Sequence, residues 1–261
     1  MLNHKEENIF FYCLLPVLFI YFFYVEYTAE VPFDGGDGVM HYMISRFSWQ
    51  HAELLLDLWG KPLFTLISSP FSQFGQLGIN MFQVVCGLST AYFCYRIAQK
   101  LNLAFAWLIP VFICFSPIYF AVMNSGLTEP FFGCLLMISI WLIFEKKYFI
   151  AAIIASLLPF VRSEAYAVLP LIGLTLLFRR QFISVFLLSA GTIVYTAIGY
   201  FHYGDPLWLI HQNQSLLGNN YPGEKLELLH YVRHYDEFIG RPLGILILCG
   251  FTAGLIFSYR F

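Results

Sequence analysis

Long apolar runs recur along the whole 261-residue chain, and Lys, Arg, Asp and Glu fall almost entirely in the short stretches between them. With 59% hydrophobic residues, 11% charged residues and a mean hydropathy of +0.69, the chain carries more apolar surface than one soluble core could enclose. In a bilayer each run can satisfy its backbone polar groups internally, as a helix. The expected fold class is therefore all-α and the expected protein is a polytopic membrane protein.

A helix needs roughly 20 apolar residues to cross a hydrocarbon core of about 30 Å. On that measure we expect about eight transmembrane helices, over Ile9 to Ala29, Leu77 to Ile97, Leu103 to Met123, Glu129 to Phe144, Tyr148 to Val161, Ala165 to Phe178, Phe182 to Tyr203 and Pro242 to Ser258. The fifth and sixth are short, because Pro159, Arg162, Ser163 and Glu164 interrupt one apolar region. A half-length pair that dips in and out and two tightly packed spans both satisfy that pattern. H-K-E-E-N before the first run, with no A-x-A-like cleavage site after it, reads as an uncleaved first span. Residues 1–261 read as a single membrane-embedded domain with outer loops at 30–76 and 204–241.

Lys5, Arg96, Lys100, Lys146, Lys147, Arg179, Arg180 and Arg260 share one side if the spans alternate, which makes that side and the N-terminus cytoplasmic. The opposite, outer side then receives residues 30–76, the turn from Asn124 to Thr128, the break from Arg162 to Glu164 and the loop after Tyr203. Within the first outer loop, Val39, Met40, Met43, Ile44 and Phe47 share one helical face, while Asp37, His41, Ser45 and Ser48 share the other. This predicts an amphipathic interface helix lying along the membrane surface with its polar face in water. A second is expected to begin near His51 and to stop at Gly60 and Pro62, with Trp59 at the interface.

Several function classes are excluded. A formal net charge of −2 offers no basic surface for nucleic acid. Cys13, Cys86, Cys94, Cys114, Cys134 and Cys249 all lie inside apolar runs and read as small packing residues. Walker A, dinucleotide-binding and G-x-S-x-G signatures are lacking. Two rival readings stand beside an enzyme: a lipid or solute transporter or flippase, which should show ionisable residues within the spans or repeated halves that this sequence lacks, and a non-catalytic membrane scaffold, in which the loop acids should tolerate replacement.

The residues that could carry chemistry gather on the outer side. Asp34 and Asp37 flank Gly35 and Gly36 at the mouth of the first interface helix. There a carboxylate either caps the helix or takes a proton from a hydroxyl, and a divalent cation is the one cofactor its chemistry admits. No motif specifies a metal, and the cofactor is left undefined. His41 stands one turn after Asp37 and reads either as a substrate contact or as a surface histidine. Lys61 in W-G-K-P could meet an anionic headgroup or snorkel. Arg162 could hold a phosphate through its planar fork or close a salt bridge with Glu164, and Glu129 both opens a helix and faces the same side. Asp205 in Y-G-D-P reads as a turn. His230 and His234, near Asp236 and Glu237, lack the H-E-x-x-H pattern of a zinc site, and Asn213-Gln214-Ser215 is a formal glycosylation sequon.

Five short motifs, F-D-G-G-D-G-V-M-H-Y (Phe33 to Tyr42), W-G-K-P-L-F (Trp59 to Phe64), L-T-E-P-F-F (Leu127 to Phe132), P-F-V-R-S-E (Pro159 to Glu164) and Y-G-D-P-L (Tyr203 to Leu207), occur in that order on the outer side. Together they resemble the GT-C superfamily of membrane glycosyltransferases, in its bacterial family 39-like and mannosyltransferase-like forms. The resemblance implies transfer of a sugar from a polyprenyl-phosphate donor to a lipid, glycan or protein acceptor at the outer face of a bacterial inner membrane. It implies Asp37 as the essential first-loop acid and Asp34 as the second choice, with Glu129, Arg162 and Glu164 shaping the donor pocket beside His41, Lys61 and Asp205. The chain stops soon after its last span, where relatives often continue with further spans or a soluble domain. The resemblance therefore implies either a compact enzyme or one that works with a membrane-protein partner.

Overall fold

A computed structural model describes residues 4–30, 33–34, 36–212 and 240–258. The sequon at Asn213, the group around His230 and His234, Gly35, Arg260 and most of the expected second outer loop lie outside the described residues.

Among the described residues the chain is all-helical. In order, α1 (His4–Thr28), α2 (Asp37–Phe47), a 3-10 helix (Ala52–Leu56), α3 (Pro62–Ser72) and α4 (Gly75–Lys100) form the first half. They are followed by α5 (Ile109–Cys114), α6 (Pro117–Met123), α7 (Glu129–Phe144), α8 (Tyr148–Ser156), α9 (Ala165–Phe178), α10 (Phe182–Leu187), α11 (Ala190–Tyr203) and α12 (Arg241–Ser258). Among the described residues three stretches are long and apolar enough to cross a membrane: Glu6–Thr28, Gly75–Lys100 and Phe182–Tyr203. The helix α4 is the central one, 56% buried along its apolar window against 17% for each of the other two.

The region expected as one span from Leu103 to Met123 is broken instead, with its two parts bent by 73°. Ser116 is extended (ψ 128°) because the residue before a proline avoids the helical region, and Pro117 then opens α6 at its first turn. The helices Glu129–Phe144, Tyr148–Phe160 and Ala165–Phe178 are apolar but shorter than a full crossing.

Among the described residues four apolar clusters hold the bundle together, one of them Phe11 of α1 with Tyr95 and Ala98 of α4 and Ala106, and three more around α4, α7 and α8. Leu18 and Phe22 of α1 pack on Val84 and Leu88 of α4 with Cys114 and Met123, and Gly87 leaves room for the Met123 side chain. Phe64 of α3, Ile79, Phe82 and Cys86 of α4, Phe131 and Cys134 of α7, and Val161 form the second. The third joins α8 and α9 through Ala152, Ala155, Leu158, Ala165, Ile172 and Leu176. Cys86 and Cys134 are thus buried packing residues, as expected, whereas Cys13 and Cys249 are exposed.

The first loop departs from expectation in two ways. The polar face of α2 turns inward: His41, Ser45 and Ser48 are buried, while Met40, Met43 and Phe47 are exposed. The reason lies in α3, where Thr65, Ser68, Ser69 and Ser72 form a matching hydroxyl-rich face, with Ser45 Oγ and Ser68 Oγ 2.7 Å apart. The expected second helix from His51 to Gly60 is only the short 3-10 turn at Ala52–Leu56, and the real helix starts at Pro62. Proline at the first helical position loses no hydrogen bond, so Pro62 begins α3 instead of ending its predecessor.

Candidate functional site

The carboxylate of Asp34 accepts the Gly38 N–H at 2.5 Å and the Gly36 N–H at 3.3 Å, so it satisfies orphan donors at the start of α2. Asp37, the first residue of that helix, is exposed and accepts no hydrogen bond among the described residues. The two aspartates are thereby separated: Asp34 holds the helix mouth and Asp37 stands free at it.

The start of α2 is pressed against the turn before α7. A Cβ on Gly126 would collide with the backbone of Gly38, and one on Gly38 would sit 3.1 Å from the Gly126 nitrogen. Only a glycine pair permits this approach. It sets the first turn of α2 against the Asn124 to Thr128 turn that leads into α7, and a hydrogen bond from Gln83 Nε2 to the Leu127 carbonyl pins that turn to α4.

His41 follows one turn into α2. It lies flat on Trp59, with ring centroids 4.9 Å apart, and meets the edge of Phe64 at 5.5 Å. It is 6% exposed, so it is not the surface histidine that its polar neighbours allowed, and its Nδ1 has no partner. Burial, with Lys61 and Arg162 adding like charge, lowers its pKa to about 4 against the opposing pull of Asp37, so it is neutral at pH 7.

Lys61 caps α3 in a left-handed backbone conformation, φ 62°, that a lysine adopts only under constraint. Asp57 supplies that constraint, since its Oδ1 accepts the N–H groups of Trp59 at 2.7 Å and Gly60 at 3.1 Å. The Lys61 ammonium reaches Ser163 Oγ at 3.4 Å. Burial first, then Arg162, lowers its pKa, with Glu164 and Asp57 working the other way.

Arg162 joins these elements. Its Nη1 lies 2.5 Å from Glu129 Oε1 and 3.4 Å from Thr128 Oγ1, and its Nη2 bonds Glu164. Burial works against its charge, but Glu164 and Glu129 together raise its pKa. Burial would likewise raise the Glu164 pKa, yet the hydrogen bond from Arg162 holds it below the usual carboxylate range. Glu129 keeps a second oxygen, Oε2, buried and without a partner.

The chain therefore brings Asp37, His41, Lys61, Glu129, Arg162 and Glu164 together at one end of the bundle, with Asp34 in a supporting position. Asp205 stands apart. It accepts the Leu207 N–H at 2.9 Å and pairs with His211 at 2.6 Å, in a turn whose Gly204 (φ 66°) reverses the chain. That reversal lays Trp208 on Gly199 of α11, with its indole N–H on the Thr196 carbonyl at 3.1 Å. Three contributors escaped sequence reasoning: Asp57, Ser163 and the Gly38/Gly126 pair. The D-x-W-G spacing of an Asx-type turn was the signal for Asp57; nothing local marks Ser163 or the glycines, whose roles come from distant partners.

An apolar groove of about 730 Å³ runs between the 3-10 helix, α3, α8 and α11, with Glu53 and His202 among its lining residues. Pro62, next to Lys61, and Phe160, two residues before Arg162, line it, together with Leu66, Ile153, Val194 and Ile198. Tyr195 closes one wall by donating to the Leu55 carbonyl at 2.8 Å. As for a cation, the described residues hold no cluster of three or more His, Cys, Asp or Glu side chains suited to a metal. Both oxygens of Asp34 are engaged by backbone, which leaves Asp37 as a single carboxylate ligand.

Comparison with protein-family models, with curated proteins and with solved structures finds no match. The class defined by fold and site is a membrane-type protein, all-helical among the described residues, with a charged cluster at one end and an apolar groove between its helices.

Proposed function

We propose that this protein is a membrane glycosyltransferase that moves a sugar from a polyprenyl-phosphate donor to an acceptor hydroxyl on the outer face of a bacterial inner membrane. The observation that carries this is that Asp37, Lys61 and Arg162 all act electrostatically on His41, while Pro62 and Phe160, close in sequence to the two cations, line an apolar groove. A lipid phosphate-sugar has the complementary shape: an apolar chain, an anionic link and a polar head.

In this proposal Asp37 takes the proton of the acceptor hydroxyl as its oxygen attacks the anomeric carbon. The bond from that carbon to the phosphate oxygen breaks, and the lipid phosphate leaves with the electron pair. A single displacement inverts the anomeric centre. Lys61, Arg162 and the N-terminus of α3 stabilise the charge that grows on the departing phosphate. Arg162 already carries two carboxylates, so the phosphate has to displace one. Glu164, with its side chain 57% exposed, is the freer arm, while Glu129 at 34% keeps the guanidinium in place. The topology of the proposal has about eight spans with a cytoplasmic N-terminus, supported by the clustering of Arg96, Lys100, Lys146 and Lys147 at the bundle end remote from the site, where Lys100 pairs with Glu145 at 2.8 Å.

The test is transfer from a radiolabelled polyprenyl-phosphate sugar in proteoliposomes, comparing Asp37→Asn with Asp34→Asn. Loss of turnover in the first with substantial turnover in the second is expected. Full activity of Asp37→Asn would remove the acid from the mechanism.

A further inference from the structure

The pair α2 and α3 is built inside out for a helix pair in water. Its hydroxyls face inward and are satisfied there: Ser45 and Ser68 bond each other at 2.7 Å, Ser48 donates to the Ser45 carbonyl at 2.8 Å, and Ser72 donates to the Ser68 carbonyl at 3.1 Å. Thr65 donates to the Gly60 carbonyl at 2.9 Å. Large apolar side chains face outward, with Met40, Met43, Phe47, Leu66, Ile67 and Phe71 all exposed.

The outward face carries no charge. The helix α3 has no charged residue, Asp37 lies at the site end of α2, and Arg46 turns back onto its own helix, donating to Tyr42 Oη at 2.5 Å. Small polar residues within and apolar residues without is the pattern of helices packed in lipid.

Depth follows from the packing on α4. Phe64 and Phe71, about 10 Å apart along α3, both reach the ring of Phe82, at centroid distances of 6.2 and 4.9 Å, so α3 crosses α4 at that level. With 26 residues α4 is about 39 Å long, roughly 9 Å more than the hydrocarbon it would cross. Phe82 lies about 10 Å along it from Gly75, which puts α3 about 5 Å inside the hydrocarbon boundary when α4 is centred.

We infer that the outer face of the α2–α3 pair is immersed in bilayer hydrocarbon, and is not laid on the headgroups with a wet side. Its occupant is the acyl-chain region of the membrane, which the exposed apolar residues Val17, Ile20 and Phe23 of α1 also suit. Because Leu66 is both exposed and a wall of the 730 Å³ groove, this face forms one side of a lateral entrance from bilayer to groove. The inference rests on the membrane character of the helices and stands apart from the transferase chemistry.

Nitroxide labels at Met43→Cys, Ile67→Cys and Phe71→Cys, in full-length protein with exposed Cys13 and Cys249 replaced by serine, test it in phosphatidylcholine–phosphatidylglycerol vesicles. The expected result is a collision rate with oxygen comparable to that of a label at Ile20→Cys, and protection from a water-soluble nickel chelate relative to Glu53→Cys. Access to the chelate as great as at Glu53→Cys would overturn the inference in favour of water. Protection from both quenchers would overturn it in favour of a covering protein, whether a second copy or another chain.

Discussion

Removing the Asp34 carboxylate separates capping from chemistry, because the two aspartates at the mouth of α2 do different work. Asp34 accepts two backbone N–H groups, at 2.5 and 3.3 Å, whereas Asp37 accepts none among the described residues. Loss of a capping side chain costs about 1 to 2 kcal/mol, and the two N–H donors that Asp34 serves place Asp34→Ala at the upper end of that range. Asp37→Ala forgoes only a favourable charge near the helix N-terminus, about 0.5 kcal/mol at an exposed site. For a chain of this length 1 kcal/mol moves Tm by roughly 2 to 4 °C, so Asp34→Ala lowers Tm by about 5 °C and Asp37→Ala by no more than about 2 °C. Thermal unfolding of detergent-solubilised protein, scanned at one fixed rate, gives the first readout and transfer in proteoliposomes the second. Asp37→Ala is expected to lose turnover with near-normal Tm. If Asp37→Ala costs as much stability as Asp34→Ala, Asp37 is a structural cap and the division of labour is refuted.

Three further outcomes follow from the same contacts. His41 is neutral when folded, with its pKa lowered from 6.5 to about 4, so its stabilising contribution is complete above pH 6.5 and is lost as pH falls towards 4. The wild type should lose up to about 3 kcal/mol over that interval, and His41→Phe, which keeps the stack on Trp59, should flatten this part of the Tm-against-pH curve. Ser45→Ala and Ser68→Ala should each cost about 1 kcal/mol by stranding the other hydroxyl, while the double variant should lose less than the sum in a double-mutant cycle of chemical unfolding. Lys61→Gly relieves a positive φ and should hold or raise Tm while lowering turnover, and a fall of several degrees would show that the Lys61 side chain is structural.

Membrane-type helical character is legible in composition and in the lengths of the apolar runs, because the bilayer imposes its thickness on each helix independently. The interruption between Leu103 and Met123 was not legible as a break, since Pro110 and Pro117 are equally at home at the start of a helix or inside a kinked span. The sidedness of α2 was misread for a related reason. Periodicity tells which residues share a face, but whether Ser45 and Ser48 look to water or to protein depends on what lies opposite, and the serines of α3 come some twenty residues later.

Local sequence by itself determined the helical, lipid-compatible nature of the chain and the short list of ionisable residues outside the apolar runs, because both are properties of single segments. Which of those residues meet was decided only by tertiary structure. Arg162 reaches Glu129 through the packing of α7 on the α8–α9 connection, and Lys61 reaches Ser163 across a separation of 102 residues. Asp37 is free because Asp34 folds back to cap the helix, and it stands near them because Gly38 and Gly126 allow two backbones to touch. Apart from the local Asp34 cap, each of these is a close contact between parts of the chain remote in sequence, which depends on packing geometry and leaves no periodic trace.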